Sequence, residues 1–537
     1  MSGSLTDDGT YGRGSRLSLS PRTWTLLIGF LCAALLALPG ITITTKSLDE
    51  LFWIVEGIDR ILKGQVPNVD FHTNLGPLVY YVPALGYRLT GSVGGAMPAT
   101  MAFFVVVMTL ISSHVLISRL RPYLALLFAV FLLLILAAPM NLGEGVTGLS
   151  FAMFYNRIGW VAIALLLAMY LRPRPGLRRQ TALDAVSAVI LTLIMIYTRA
   201  TYGLVALVFL LFMLTDRHHR LWAGTSILLV AAMLVIVGMI WGGSSAYVAD
   251  VWLVMQANGL LGRGPGEFLQ RGLAHIADLL LLAFLVILTL SRTWRWRDLI
   301  FFLFCAIGGL WLLSHDIQRW GVITVHAAAA VAAERLLRQM DDHPETGQGA
   351  FVNWSGVKLY FLAFVLPTIL HCGMALALYA GAATARAGQP VALPHIEGVH
   401  IADLWTGGDF NSASWYLGTI EEGLGLLAAL DQPIHQLSVP GAANIFSRVL
   451  DLQPAGGDVT QMRWDVTVNE THFIPPEDLF AHADTVLLWR TGEAAEGVAR
   501  LYLPFLQQNF TQAGESEHWT LFHRPRPDME QTEPSPG

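Results

Sequence analysis

The stretch "TWTLLIGFLCAALLALPGITITTKSLDELFWIVEGIDRILKGQVPNVDFHTNLGPLVYYV", Thr23 to Val82, joins a run with no charged residue before Lys46 to a segment that carries seven between Asp49 and Val82. A hydrocarbon core takes about 20 mostly apolar residues per helix, so the first part reads as a membrane span. The whole chain agrees. It is 54% hydrophobic and 13% charged with a mean hydropathy of +0.53 over 537 residues, against roughly 25% charge in a soluble domain. Backbone polar groups in hydrocarbon must be satisfied internally, so the expected fold is an α-helical polytopic membrane protein.

Eleven apolar runs are expected as spans: 23–43, 95–117, 123–139, 157–171, 185–199, 201–214, 221–240, 275–290, 299–314, 320–335 and 359–381. Alternate loops carry the arginines, as in "SRLRP" (118–122), "RPRPGLRR" (172–179), "DRHHR" (216–220) and "SRTWRWR" (291–297). The positive-inside rule puts these in the cytoplasm, with the N-terminus, and everything after residue 382 outside. The expected organisation is a cytoplasmic tail (1–22), a transmembrane region (23–381) with its first outer loop at 44–94, an extracytoplasmic α/β domain (382–525) and a disordered tail (526–537). The first run is longer than a signal core and "LPGITITTK" is a poor cleavage site, so it is expected to stay as a helix. Cys32, Cys305 and Cys372 all fall in expected spans, which excludes a disulfide framework outside. A net charge of −6 with scattered arginines excludes a nucleic-acid surface.

The charged half of the opening stretch then lies in the first outer loop. Apolar residues from Leu51 to Leu62 recur at three- and four-residue spacing, which predicts an amphipathic helix along the interface. A second helix is expected from Pro77, a residue suited to a first helical position. Between them, Asp70 sits beside Pro67 and Asn68, where an aspartate commonly accepts backbone amides of a turn. Other outer loops add Glu144, Asn156 and Arg157; then Arg199; then Asp250, Gln256, Asn258, Arg263 and Glu267 at 241–274; then His315, Asp316 and Arg319. Ionisable residues gathered at one face of a helical bundle either line a functional cavity or anchor helix ends.

After residue 382, strand-like "HIADLW", "IHQLSV", "DTVLLW" and "WTLFH" alternate with helix-like "YLGTIEEGLGLLAAL" and "EGVARLYLPFLQQNF", the pattern of a small α/β domain. It holds no nucleotide, zinc-protease or hydrolase motif. His395, His400, Asp403 and Asp409 lack the paired spacing of a metal site. Asn469-Glu-Thr fits the glycosylation triplet, a short pattern of low specificity.

The succession of "DE" after the first span, an amphipathic helix, "GQVPNVDF" and "GPLVYY" resembles the first outer loop of GT-C glycosyltransferases, among them protein mannosyltransferases and lipid A aminoarabinose transferases. The resemblance covers residues 45–90 and, in topology, 1–381. It implies a GT-C-like bundle in the bacterial inner membrane and a polyprenyl-phosphate-linked sugar donor. It further implies inverting transfer to a lipid, glycan or protein acceptor on the periplasmic side. Asp49 matches the catalytic carboxylate, Glu50 its neighbour, and Glu144 a supporting acid of the second outer loop. Where many relatives place a lysine for the donor phosphate, this chain has Leu75, which leaves Arg157, Arg199, Arg319 or His72 to supply positive charge. Glu144, Asp70 and His72 either orient the acceptor or hold a divalent metal, and the residues do not choose between these.

The residue types suit that chemistry on their own. A carboxylate can take the proton from an acceptor hydroxyl, and arginine can hold a leaving phosphate. The competing reading from another class is a transporter or lipid flippase, which would show internal repeats and ionisable groups at mid-membrane. No repeat is evident here, and His326, the one ionisable residue well inside an expected span, reads as a packing residue.

Overall fold

The computed structural model describes residues 19–174, 179–259, 264–315, 318, 320–342 and 353–524. The expected tail at 526–537 and most of that at 1–22 lie outside these.

Helix α1 (Pro21–Ala37) starts under the Ser20 hydroxyl, which accepts the Thr23 amide, with proline in its first turn. It stops short of residue 43 because Pro39 and Gly40 (φ 68°) break it. The β-branched alternation that follows forms β1 (Thr42–Thr44) instead. The bundle continues with α2 (Leu48–Leu62), α3 (Leu78–Thr90), α4 (Val93–Arg119), α5 (Pro122–Ala137), α6 (Phe154–Ala168), α7 (Gln180–Thr198) and α8 (Ala200–Leu214). It is completed by α9 (Arg220–Trp241), α10 (Ser244–Asn258), α11 (Pro265–Ala274), α12 (Ile276–Arg292), α13 (Trp296–Ser314), α14 (Ile323–Asp342) and α15 (Trp354–Thr384).

Each of the eleven apolar runs is helical over most of its length, and the protein is multi-pass. Five helices (α4, α7, α9, α13 and α15) are long and apolar enough to cross a membrane, and α11 with α12, bent by 70°, is either a sixth, broken span or a re-entrant loop. The expected eleven full spans are therefore not reached among the described residues. Helices α1, α5, α6 and α8 are only 15 to 17 residues long. Helix α14 carries Glu334, Arg335 and Arg338 in its second half, while Ile323–Ala333 is wholly buried and rich in alanine. A helix enclosed by neighbours need not be apolar throughout, and small side chains let those neighbours come close.

The expected loop at 241–274 contains two helices. Gly242 (φ 76°) and Pro265, in the first turn of α11, mark their starts, but α10 is too evenly mixed in polarity to show a helical stripe.

Beyond α15 lie β2 (Gln389–Pro390), β3 (Val399–Ile401), α16 (Gly408–Ala428), β4 (Gln436–Ser438), α17 (Phe446–Val449), β5 (Gln453–Pro454) and α18 (Pro476–Leu479). The chain closes with β6 (Thr485–Trp489), α19 (Glu493–Asn509), β7 (Thr511–Glu515) and β8 (Trp519–His523). A five-stranded mixed sheet has the order β5-β4-β6-β8-β7. The second sheet crosses from one region to the other: β1 pairs in parallel with β3, Ile43 opposite His400, and β2 closes its far edge.

Helix α2 is the amphipathic helix that the pattern predicted. Its polar face is covered by the C-terminal region, and every residue from Glu50 to Arg60 is buried. Arg60, 0% exposed, donates from Nε to Glu56 (2.9 Å), from Nη2 to Asp458 (3.0 Å) and from Nη1 to Gln65 and the Ala455 carbonyl. Glu56 also accepts the Asn444 amide at 2.9 Å, and Asp59 pairs with Lys63 at 2.9 Å and Arg448 at 3.5 Å. The amphipathic signal was right about periodicity, and the polar face meets protein.

Candidate functional site

The first turn of α2 presents Asp49 and Glu50, where the helix macrodipole favours negative charge. Both face Arg463, which comes from the loop after β5. Its Nη2 contacts Glu50 directly and stands 3.8 Å from Asp49, while the guanidinium covers the Trp53 ring at 4.5 Å. Burial opposes the charge on Arg463, yet Glu50 and Asp49 outweigh it and hold its pKa above the ordinary value. The two acids differ in access: Asp49 is 43% exposed at its side chain, Glu50 only 8%.

Glu50 and Arg463 line a cavity of about 590 Å³ together with Asn74, Tyr155, Arg199 and His315. Arg199 ends α7 and begins α8; it donates to the Asn156 side chain and the His315 carbonyl and lies 5.6 Å from the Tyr155 ring centre. An adjoining cavity of about 480 Å³ continues past Asn74 and Arg199 to α10, along Val251, Val254 and Met255. Asn74 is brought to Arg199 by a close approach at Gly76, whose amide donates to the Thr198 carbonyl at 3.0 Å. A Cβ at Gly76 would overlap the Tyr197 carbonyl.

Three of the ten left-handed non-glycine residues among the described residues lie here. Ser47, which caps α2, and Met153 and Gln461, which line the cavity, all take left-handed φ values of 49–61° without being glycine. Such residues cost on the order of 1–3 kcal/mol each and persist where surroundings over-determine them, commonly at functional sites.

The other sequence-derived residues lie elsewhere. Asp70 accepts the Val66 amide at 2.7 Å inside its own turn. His72 Nδ1 is 2.7 Å from Asp250, which also accepts from the Asn68 side chain and the Thr73 amide, so this cluster ties the first loop to α10. Burial lowers the His72 pKa, but its bond to Asp250 raises it further, to a net value above the ordinary. Arg157 is 1% exposed, donates to the Met140 carbonyl and does not line the cavity. Arg319, with Asp316 and Arg263, lies outside the described residues.

Glu144 is 2.8 Å from Lys46, which also stands 3.6 Å from Asp409. It lines a separate cavity of about 1,060 Å³ walled by Leu281, Trp320, Phe364 and Pro367. Among the described residues no three His, Cys, Asp or Glu side chains gather in a metal-holding group. Glu50, engaged by Arg463, and Glu144, engaged by Lys46, do not fit a shared divalent cation, and no step below involves one.

Sequence reading missed Arg463 and Lys46 as site residues. Lys46 stands three positions before Asp49, whereas nothing in "QMRWDVTVNE" marks Arg463, which lies 413 positions from Glu50.

The fold and the cavity together define a multi-pass helical membrane protein whose first inter-helix loop builds a charged site with a C-terminal α/β region. The chain is similar to the crystal structure of ArnT from Cupriavidus metallidurans in the apo state, with 12% identity and a TM-score of 0.46 over 93% of this chain and 97% of that one. It is likewise similar to the crystal structure of ArnT from Cupriavidus metallidurans bound to undecaprenyl phosphate, with 12% identity and a TM-score of 0.45 over 93% and 98%. No family model and no curated protein matches the chain.

Proposed function

We propose that this protein is a GT-C-type membrane glycosyltransferase that moves a sugar from a polyprenyl phosphate to an envelope lipid, glycan or protein at the periplasmic face of the bacterial inner membrane. The observation that carries the reading is the acid pair Asp49–Glu50 sharing Arg463, with Glu50 and Arg463 lining a cavity that also holds Arg199 and Asp49 standing next to that lining, 3.8 Å from Arg463.

In this reading Asp49 is the general base. It is the more exposed acid and stands farther from Arg463, so an acceptor hydroxyl can reach it. As the acceptor oxygen bonds to the anomeric carbon, its proton passes to Asp49 and the sugar–phosphate C–O bond breaks. The electron pair leaves on the phosphate, which Arg463 and Arg199 stabilise. Glu50 is then a positioning residue that holds Arg463. The largely apolar cavity lined in part by Glu144, which pairs with Lys46, offers room for prenyl carbons.

The test is mass spectrometry of envelope lipids and glycans from a strain lacking the protein, rescued with wild type or with Asp49→Asn. Loss of one sugar, accumulation of its prenyl-phosphate donor and rescue by wild type alone is the expected result. An unchanged glycan profile with a lipid or solute stranded on one side of the membrane would assign a transporter instead.

A further inference from the structure

At the far end of α7 from Arg199, the arginine-bearing loops enclose a second polar cavity, of about 1,150 Å³. The 19 residues of α7 separate the two ends by about 28 Å. Five arginines line it: Arg172, Arg295, Arg297, Arg335 and Arg338. Three carboxylates accompany them, which leaves an excess of two positive charges.

The internal pairing accounts for three of the five. Arg297 binds Asp216, which also pairs with His219 at 3.1 Å. Arg335 binds Asp298, and Arg338 holds Glu334 at 2.9 Å outside the cavity lining. Arg172 is 54% exposed and approaches Asp216 only to 3.8 Å. Arg295 is exposed and has no ion pair or side-chain hydrogen bond among the described residues. Arg295, with no ion pair, and Arg172, with only a long contact to an Asp216 already shared with Arg297 and His219, thus stand at the rim with guanidinium donors to spare.

Acceptor capacity remains as well. Asp298, 1% exposed, has its second carboxylate oxygen without a hydrogen bond among the described residues, and Gln339 Oε1 is in the same state. Arg295 is flanked by Trp294 and Trp296, 57% and 67% exposed, the aromatic signature of a membrane–water boundary. The five arginines converge on one cavity next to these exposed tryptophans.

We propose that this cavity binds a phosphate-bearing anion, namely the headgroup of an anionic phospholipid that carries hydroxyls beside its phosphate. The phosphate sits between Arg172 and Arg295, and the hydroxyls donate toward Asp298 and Gln339. Basic pockets between membrane helices are a recognised lodging for such headgroups. The inference is independent of the glycosyltransferase reading.

The experiment uses the full chain in detergent, with native mass spectrometry and thermal shift against phosphatidylglycerol, phosphatidylcholine and inorganic phosphate. Phosphatidylglycerol should bind at least about tenfold more tightly than phosphatidylcholine. Arg172→Ala with Arg295→Ala, both at exposed positions, should remove that preference while the unliganded melting temperature holds. Inorganic phosphate binding as tightly as phosphatidylglycerol, and only to wild type, would keep the phosphate site and assign it to a soluble compound. Equal binding of both lipids, or a preference that survives the double substitution, would overturn the proposal.

Discussion

Asp49 and Glu50 are adjacent in sequence yet differ in what a substitution should do. Asp49→Asn keeps shape and removes the proposed base, so transfer should fall by about 10²–10⁴-fold while the protein stays folded in the membrane; an active Asp49→Asn enzyme would sink the mechanism. Glu56 makes a separate, pH-linked prediction. Burial pushes its carboxyl up to about 7 from an ordinary 4.5, with Arg60 pulling the other way and Asp458 adding to the rise. The folded state therefore holds the proton to higher pH than the unfolded chain does. Its contribution to stability is fully present below about pH 4.5 and is lost as pH rises through about 7. Each pH unit in that window is worth ~1.4 kcal/mol, so Glu56→Gln should gain roughly 3 kcal/mol on wild type between pH 4.5 and 8. Melting curves of the two proteins across that range check it, and parallel curves would show that Glu56 does not titrate there.

At the scale of elements, the join between the first loop and α7 depends on Gly76, because any side chain there meets the Tyr197 backbone rather than a movable group. Gly76→Ala should cost about 1–3 kcal/mol and draw Asn74 away from Arg199, lowering transfer. Gly381→Ala, in α15 with open space around it, should be neutral or slightly stabilising and serves as the control. Comparing melting temperature and transfer for the two variants separates a local misfit from a general effect of added methyl groups. Such joins also show what sequence could reveal. Apolar runs announced the bundle helices because a span must be apolar over most of its length, and strand-like runs announced β3, β4, β6 and β8. Helix α10 escaped because its polar and apolar residues fall on no single stripe, and α11 because it has only ten residues, none of them buried. The polar face of α2 was legible as a face, but its occupant was not: Arg60 finds Asp458 and Ala455 nearly 400 residues along the chain. Periodicity reports that a surface will be covered and carries no information about a partner so distant.

For the whole molecule, those distant partners make the C-terminal region part of the first loop's structure. It supplies Asp458 to Arg60, the Asn444 amide to Glu56, β3 to β1, and Arg463 to the acid pair. Ending the chain at residue 384 would strip all four at once. Arg60 would keep Glu56 and Gln65, and Asp59 would keep Lys63, but the cluster would lose Asp458, the Asn444 amide and Arg448 and would face water; removing a partner from a buried charge cluster costs up to about 3–5 kcal/mol. The bundle should survive, since its core is formed by α4, α5, α6, α7, α14 and α15. The segment 45–75 should lose order. Limited proteolysis in detergent should accordingly nick the truncated protein within 45–75 at protease levels that leave the full chain intact there, with fragments mapped by mass spectrometry. Arg60→Met in the full chain should open the same segment more weakly, because one charge of the triad is lost while β1–β3 pairing and the Arg463 contact remain. If the truncated chain kept the 45–75 segment protected, the first loop would fold on its own, and the C-terminal region would be confined to contributing Arg463 to the site.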